Sequence, residues 1–351
     1  MITKLSPGLR RAFATIAFAA LALTARAAPP TLNLFIWSEY ISPEIVADFE
    51  KTAGCKINID LFEDSESMLA KIQNGGVALY DVVVVSDNIV PVMIKQGLLA
   101  PLRPEKIPNL KHLDEKFINP AYDPGNRFTA AYQWGTVGIL ARKVPGKPLP
   151  DSWAALFDPN RQYGSFLLMD SVRDTVGAAL KFKGYDVNTT EPKQLREVRD
   201  LLIAAKKRSL GFDGSVGVKN KILGKTAQVG IVYSGEGVRA ATENPDLTYF
   251  VPREGSIIWV DSLAVLGKAR QRDLAERFIN YILEPKTGAL LSNFTQFSTP
   301  NKSAKSLIKP EDLANEAVYP SADALQRLEF LEDLGSKLRL YDEVWTQVKA
   351  R

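Results

Sequence analysis

Cysteine and histidine are almost missing from this sequence: among 351 residues there is one of each, Cys55 and His112. A single thiol excludes a disulfide framework within the chain, and one Cys with one His cannot build a zinc cluster of the usual spacing. A Ser-His-Asp or Cys-His mechanism would have to run through His112 alone. The inventory therefore points away from hydrolases and zinc enzymes. No run of 18 apolar residues is present, so no segment carries the signal of a membrane-spanning helix. Glycine (23) and proline (21) are near average, which removes collagen-like and wholly disordered readings. What remains is the composition of a globular protein long enough for two domains.

Charge of one sign is also scarce. The formal net charge is +4, but residues 1–27 hold Lys4, Arg10, Arg11 and Arg26 and no acid. Taking those four from the 44 basic residues leaves 40 against 40 acidic ones. A neutral chain without a basic run lacks the footprint of a nucleic-acid binder. The same 27 residues have the three parts of a secretory signal: a positive start, an apolar run at residues 12–24, and the small-residue cleavage site Ala25-Arg26-Ala27. No cysteine follows that run to take a lipid. These features predict an exported, soluble periplasmic chain beginning near Ala28. Cys55, in an apolar-alternating stretch, is expected to be buried at or just before a strand, and His112 to be a solvated loop residue.

The order of elements predicts an α/β fold. Residues 32–37 and 56–62 read as strands, and residues 80–85 (Tyr-Asp-Val-Val-Val-Val) as a strand buried on both faces. Ser42-Pro43-Glu44 opens one helix by cap and proline, and residues 65–73 form a second, stopped by Asn74-Gly75-Gly76. A second group follows, with strands at 165–169 and 228–233 and helices at 172–182, 191–209 and 235–242. Helices at 272–283 and 285–294 come near the end, and residues 101–127 read as surface loop. No repeat of 20–50 residues is visible.

Ligands of open α/β sheets sit beyond the carboxyl ends of strands. Three such ends here place an aromatic ring beside a carboxylate: Trp37-Ser38-Glu39-Tyr40, Tyr233-Ser234-Gly235-Glu236, and Trp259-Val260-Asp261-Ser262. An ammonium group needs that pair, a carboxylate for charge-assisted hydrogen bonds and a ring face for the cation and its methylenes. Core aromatics and helix-capping acids would give the same pattern, and spacing alone leaves both readings open.

From residue 34 to about residue 305 the chain resembles the periplasmic polyamine-binding proteins of spermidine and putrescine importers, within the bacterial extracellular solute-binding proteins. The matching pieces come in family order. They include Asn33-Leu34-Phe35-Ile36-Trp37-Ser38-Glu39-Tyr40, Tyr80-Asp81-Val82-Val83-Val84-Val85-Ser86, Gln133-Trp134-Gly135-Thr136, Asp151-Ser152-Trp153, Arg253-Glu254-Gly255-Ser256, Trp259-Val260-Asp261-Ser262-Leu263-Ala264 and Ser298-Thr299-Pro300-Asn301.

The resemblance implies a two-lobed periplasmic-binding-protein fold, type II-like, with the ligand cleft between lobes. One lobe would hold residues 28–134 and about 261–301, the other residues 135–260 and about 302–351, with the hinge at the crossings. It further implies a ligand site of Trp37, Ser38, Glu39, Tyr40, Ser86, Asp174, Tyr233, Glu236, Trp259, Asp261 and Phe297. Trp37 and Trp259 would wall the aliphatic chain, and Asp261 would be the main ammonium acceptor. The implied ligand is a putrescine-type diamine or spermidine. The implied partners are the permease and ATPase of an ABC importer, with no cofactor, no metal, no catalytic residue and no nucleic acid, and with the protein acting as a monomer. Departures from the spermidine-type pattern are Ser171 for an aspartate, Asn88 for a tyrosine, Tyr233 for a tryptophan, Phe297 for a tyrosine and Leu331 for a glutamine. They suit a shorter or differently ended amine, agmatine or an amino acid derivative included. The rival readings are an acid/base enzyme using Asp261 and Glu236, a binder of Fe³⁺ or an anion, and a receptor that signals ligand to a membrane partner.

Overall fold

The computed structural model describes residues 28–351; the expected export signal lies outside them. The chain begins as the sequence pattern predicts. Strand β1 (Thr31–Trp37) leads into α1 (Pro43–Ala53), β2 (Lys56–Phe62), α2 (Ser65–Gln73) and β3 (Val82–Ser86). The side chain of Ser42 caps α1, and Gly54 ends it at φ 66°, a left-handed turn that favours glycine. Cys55 is buried just ahead of β2. The β-branched run Val82–Val85 is fully buried, as a strand covered on both faces must be.

Beyond the 101–127 stretch, which folds as three short 3₁₀ turns, comes β4 (Thr129–Arg142), a strand the sequence pattern hid. All but its last residue are buried, so no apolar/polar alternation marks it. The second group holds β5 (Phe166–Met169), α3 (Val172–Phe182), α4 (Pro192–Lys206), β6 (Phe212–Asp213), α5 (Ser215–Leu223), β7 (Val229–Tyr233), α6 (Ser234–Glu243) and β8 (Leu247–Phe250). The chain then returns through β9 (Ser256–Val265), α7 (Arg272–Ile282) and α8 (Pro285–Thr295), and ends with β10 (Leu328–Phe330) and α9 (Arg339–Ala350).

The strand order is β2-β1-β3-β9-β4-β7-β5-β6, with β8 added to β4 and β10 to β9. Two long antiparallel strands carry the sheet from one lobe to the other. β4 pairs β9 through Thr136 and then takes β7 from Val137 onward. β9 pairs β10 at Ser256–Ile258 and β3 at Asp261–Val265. The last helix, α9, packs on α3 and α4. The turn at Lys302–Leu307 instead packs on α8, where Ser303 meets His112 Nδ1 at 2.9 Å and Lys305 bridges Asp114 at 3.1 Å. His112 is therefore half-buried and bonded rather than a free surface residue. It ties the turn to the loop because its ring reaches the Ser303 hydroxyl.

Asp81 locks the first lobe. It is 1% exposed. Its carboxylate accepts from Asn33 N at 2.9 Å, Asn33 Nδ2 at 3.2 Å and Gln271 N at 2.8 Å, joining β1 to the returning segment. Removing it would leave these donors without a charged acceptor. Asp81→Ala is expected to lower stability by about 2–4 kcal/mol, read as a shift of the urea midpoint at unchanged slope. A shift below about 0.5 kcal/mol would show that water replaces the carboxylate without loss.

Candidate ligand cleft between the lobes

The cleft is built from chain turns at the carboxyl ends of β1, β3 and β7 and from the interior of β9, which runs on through the Trp259–Ser262 stretch expected to be a strand end. The turn after β1 supplies Trp37, Ser38 and Tyr40, the end of β3 supplies Ser86 and Asp87, and β7 leads through Tyr233 into Glu236. From β9 come Trp259 and Asp261, two residues apart and so on the same strand face. The first turn of α3 adds Asp174, and the residue after Gln296 adds Phe297. Ten of the eleven residues expected at the site thus line one narrow cavity of about 70 Å³.

Rings make its walls. Tyr233 meets Trp259 edge-on at 5.6 Å, Trp259 meets Phe297 at 5.1 Å, and Phe297 meets Tyr40 at 5.3 Å. Trp37 closes the series at 6.5 Å from Tyr233. Two glycines make this possible. A Cβ on Gly135 would stand 2.7 Å from the Trp259 ring, and one on Gly235 would stand 2.7 Å from the Phe297 ring.

Carboxylates make its floor. Ser86, opposite Asp261 in the β3/β9 register, donates its hydroxyl to that carboxylate at 2.6 Å. Asp174 accepts from Ser171 at 2.6 Å and from the Tyr233 hydroxyl at 2.7 Å. Asp87 accepts from the Val260 amide at 3.1 Å and the Asn88 amide at 2.8 Å. Burial pushes Asp261 up to about 7 and Asp87 up to about 8, and it also raises Asp174 and Glu236. The Trp37 and Trp259 indole nitrogens and the Tyr40 hydroxyl are buried without a hydrogen-bond partner among the described residues, so the cavity keeps polar capacity for an occupant.

Glu39 stands apart from the other expected residues. It does not line the cavity; its backbone sits at φ 53°, a conformation unusual for a non-glycine residue. Its carboxylate accepts from Lys219 at 2.7 Å and Arg239 at 2.8 Å, and Arg239 also reaches its carbonyl at 3.2 Å. Arg239 extends to Glu236 at 3.4 Å. Glu39 therefore joins the turn after β1 to α5 and α6. Other lining residues were not assigned to the site: Glu63, Asp64, Ser65 and Glu66 after β2, Ser215 with Val216 at the start of α5, and Asp87 and Arg173, which adjoin the expected Ser86 and Asp174 at strand ends. Phe62-Glu63-Asp64 carries the same ring-plus-carboxylate signal at a strand end as the three segments singled out. Asp87 has no ring beside it and gave no such signal.

With this geometry in view, the sequence matches the bacterial extracellular solute-binding proteins over residues 44–318. The chain belongs to that family. It is 30% identical over 322 residues to a spermidine/putrescine-binding periplasmic protein of Escherichia coli K12, covering 91% of this chain and 92% of that one. It is 30% identical over 333 residues to a putrescine/cadaverine-binding protein of Pseudomonas aeruginosa, covering 91% and 94%. Among solved structures it resembles the spermidine/putrescine ABC transporter substrate-binding protein of Streptococcus pneumoniae. There the TM-score is 0.77 at 30% identity, over 92% of this chain and 99% of the other. These relatives are binding proteins, and among the described residues no helix is long and apolar enough to cross a membrane.

The raised carboxyls have a consequence for the empty protein. Asp261 and Asp87 hold protons in the folded state up to about pH 7 and 8, whereas an unfolded aspartate releases its proton near pH 3.9. The folded state therefore binds more protons over that interval, and stability must fall as pH rises through it. The contribution is fully present below about pH 4 and is lost by about pH 8. Melting temperatures of the ligand-free protein between about pH 5 and 8.5 should decline, and Asp261→Asn and Asp87→Asn should each flatten the decline. A wild-type curve that rises with pH over this range would show that these acids are ionised in the empty cleft.

Proposed function

We propose that this chain captures a polyamine, a putrescine-type diamine in preference to spermidine, and hands it to the permease and ATPase of an ABC importer. One observation carries the reading. Seven carboxylates line the cavity (Glu63, Asp64, Glu66, Asp87, Asp174, Glu236 and Asp261) against one arginine, and aromatic rings wall it. The guanidinium of Arg173 is engaged elsewhere, on Asn188 at 2.7 Å, on the Glu332 carbonyl at 3.1 Å and over the Tyr341 ring at 4.7 Å. Four of these acids, Asp87, Asp174, Glu236 and Asp261, are buried; an organic cation would supply the positive charge that lets buried carboxyls ionise, and ring faces suit its methylenes. Two ammonium ends match such a set of acids better than one.

Trp37, Tyr40 and Trp259 hold the chain, Asp261 takes an ammonium with Ser86 orienting its carboxylate, and Asp174 and Glu236 take charge from the other lobe. Ser38 and Phe297 complete the wall, and Glu39 acts on lobe closure. The lobes divide near residues 134/135 and 260/261, where β4 and β9 change partners; residues up to about 307 return to the first lobe, and α9 belongs to the second. The protein works as a periplasmic monomer after loss of residues 1–27. It is a binding protein rather than an enzyme, because neither a nucleophile motif nor a nucleotide loop accompanies the acids. The names of the relatives support this reading, one of them, from Pseudomonas aeruginosa, being a putrescine/agmatine-binding protein at 31% identity over 346 residues.

Asp261 is the sharpest test. Replacing one partner of a desolvated charge pair costs about 2–5 kcal/mol, so Asp261→Asn should weaken diamine binding by roughly 30-fold to several thousand-fold. Trp259→Ala should weaken it too, by the cation–π share of about 0.5–2 kcal/mol plus lost apolar contact. Calorimetric titration with 1,4-diaminobutane measures both, with circular dichroism to check folding. Binding by Asp261→Asn within about twofold of wild type would remove Asp261 from the site. Selectivity is a separate test. With Ser171, Asn88 and Leu331 in place of family polar groups and the cavity this narrow, 1,4-diaminobutane should outcompete spermidine. A clear preference for spermidine in competition titrations would reverse that assignment.

A further inference from the structure

The edge of β9 is interrupted beside the cleft. β3 pairs with β9 at Asp261–Val265 and β10 pairs with it at Ser256–Ile258, which leaves Trp259 and Val260 without a strand partner on that edge. Asp87 bridges the gap through the Val260 amide and carbonyl. On either side of the gap stand Asn88 and Leu331, both half-buried. Alternation along β9 sends Trp259 and Asp261 into the ligand cavity and Ile258 and Val260 to the opposite face. On that face lies a second cavity of about 730 Å³. The two cavities share three residues, Asp87, Asn88 and Leu331.

This second chamber is lined mainly by carbon. Trp134, Ile258, Val260, Leu328 and Phe330 face it, and Phe330 is 50% exposed although it is a large apolar residue. The charged groups around it are Asp87, Lys116, Glu332 and Asp333. Asp333 is taken by Lys95 at 2.6 Å, and Lys116 lies over the Trp134 ring at 4.5 Å. Of its three acids, Asp87 is bonded to the Val260 amide and Asp333 to Lys95, and Lys116 adds a positive charge, so a second ammonium group would find less compensation there than in the ligand cavity. An aliphatic or aryl group would cover exposed apolar surface.

From this the geometry points to a ligand class beyond simple diamines: amines with an apolar tail, whose ammonium part occupies the acidic cavity while the tail passes between Asn88 and Leu331 into the second chamber. The inference rests on the amine reading of the cleft. Asn88 and Leu331 line both cavities, so they would flank the tail where it passes from one to the other.

The test is calorimetric titration of the full-length exported protein with 1,4-diaminobutane and with N-hexyl-1,4-diaminobutane, which keeps both charges. Burying the hexyl chain should tighten binding by about tenfold or more and make the heat-capacity change more negative. Ala121→Trp fills the chamber from an exposed loop position, and Leu325→Trp fills it from the short helix ahead of β10. Each should remove most of the hexyl gain while leaving 1,4-diaminobutane within about twofold of wild type. Equal or weaker binding of the hexyl amine, with 1,4-diaminobutane still bound, would overturn the tail site alone. So would a hexyl gain that survives both tryptophan variants. If the wild type binds neither amine, the amine reading falls and this inference falls with it.

Discussion

Carboxyl groups that cannot all be ionised at once in a dry cavity set the terms for this molecule. Asp261, Asp87, Asp174 and Glu236 are each less than 10% exposed and surround one narrow space. Removing an ion from water is costly, and an unpaired buried carboxylate responds by holding its proton. Neighbouring acids add to the effect: Asp174 and Glu236 help to raise Asp261, though burial is the larger cause. The hydroxyls of Ser86, Ser171 and Tyr233 work in the other direction by donating to the charged form. The balance still leaves all four carboxyls raised, with burial as the leading cause in each.

Helix ends sharpen the constraint. The first turns of α2, α3, α5 and α6 all contribute residues to the cavity. The positive ends of four helix dipoles would by themselves favour an anion. Three of those turns carry an acid, Glu66, Asp174 and Glu236. These acids offset the dipoles and place carboxyls where an anion site would have bare amides, so an arrangement common in anion sites is reversed. The helix-cap reading of these residues and the ligand reading are therefore two descriptions of one electrostatic arrangement. That is why spacing alone could not choose between them.

The local order of the fold was legible because local signals mark it. Ser42-Pro43 and Asp64 open helices by capping, and Val82–Val85 announces a strand covered on both faces. The crossing strand β4 was not legible, because thirteen of its fourteen residues are buried and a strand buried throughout shows no period. The candidate site was legible at the ends of β1 and β7, where a ring sits beside an acid, as at Trp37 and Tyr233; Trp259 and Asp261 carry the same pair but lie inside β9 rather than at its end. The family resemblance singled out Ser86, Asp174 and Phe297, while Asp87, next to Ser86 at a strand end, has no ring beside it and makes its bonds to Val260 by long-range pairing. Glu39 is the opposite case. It has the local signature of a ligand residue, but Lys219 and Arg239, distant in sequence, draw its carboxylate to the lobe seam.

That seam connects charge to motion. Glu39 comes from the turn after β1, while Lys219 lies on α5 and Arg239 on α6, so their bonds form only when the two sides meet. Arg239 also touches Glu236 in the cavity wall, and its positive charge partly offsets the rise that burial imposes on that carboxyl. A cation bound at Glu236 would compete with Arg239 for the carboxylate and leave the guanidinium to Glu39. The same arginine thus touches two acids at once, Glu236 in the cavity wall and Glu39 at the seam. A single positive charge is shared between them, so a change of charge at the cavity wall is felt at the seam without any rearrangement of the helices that carry it.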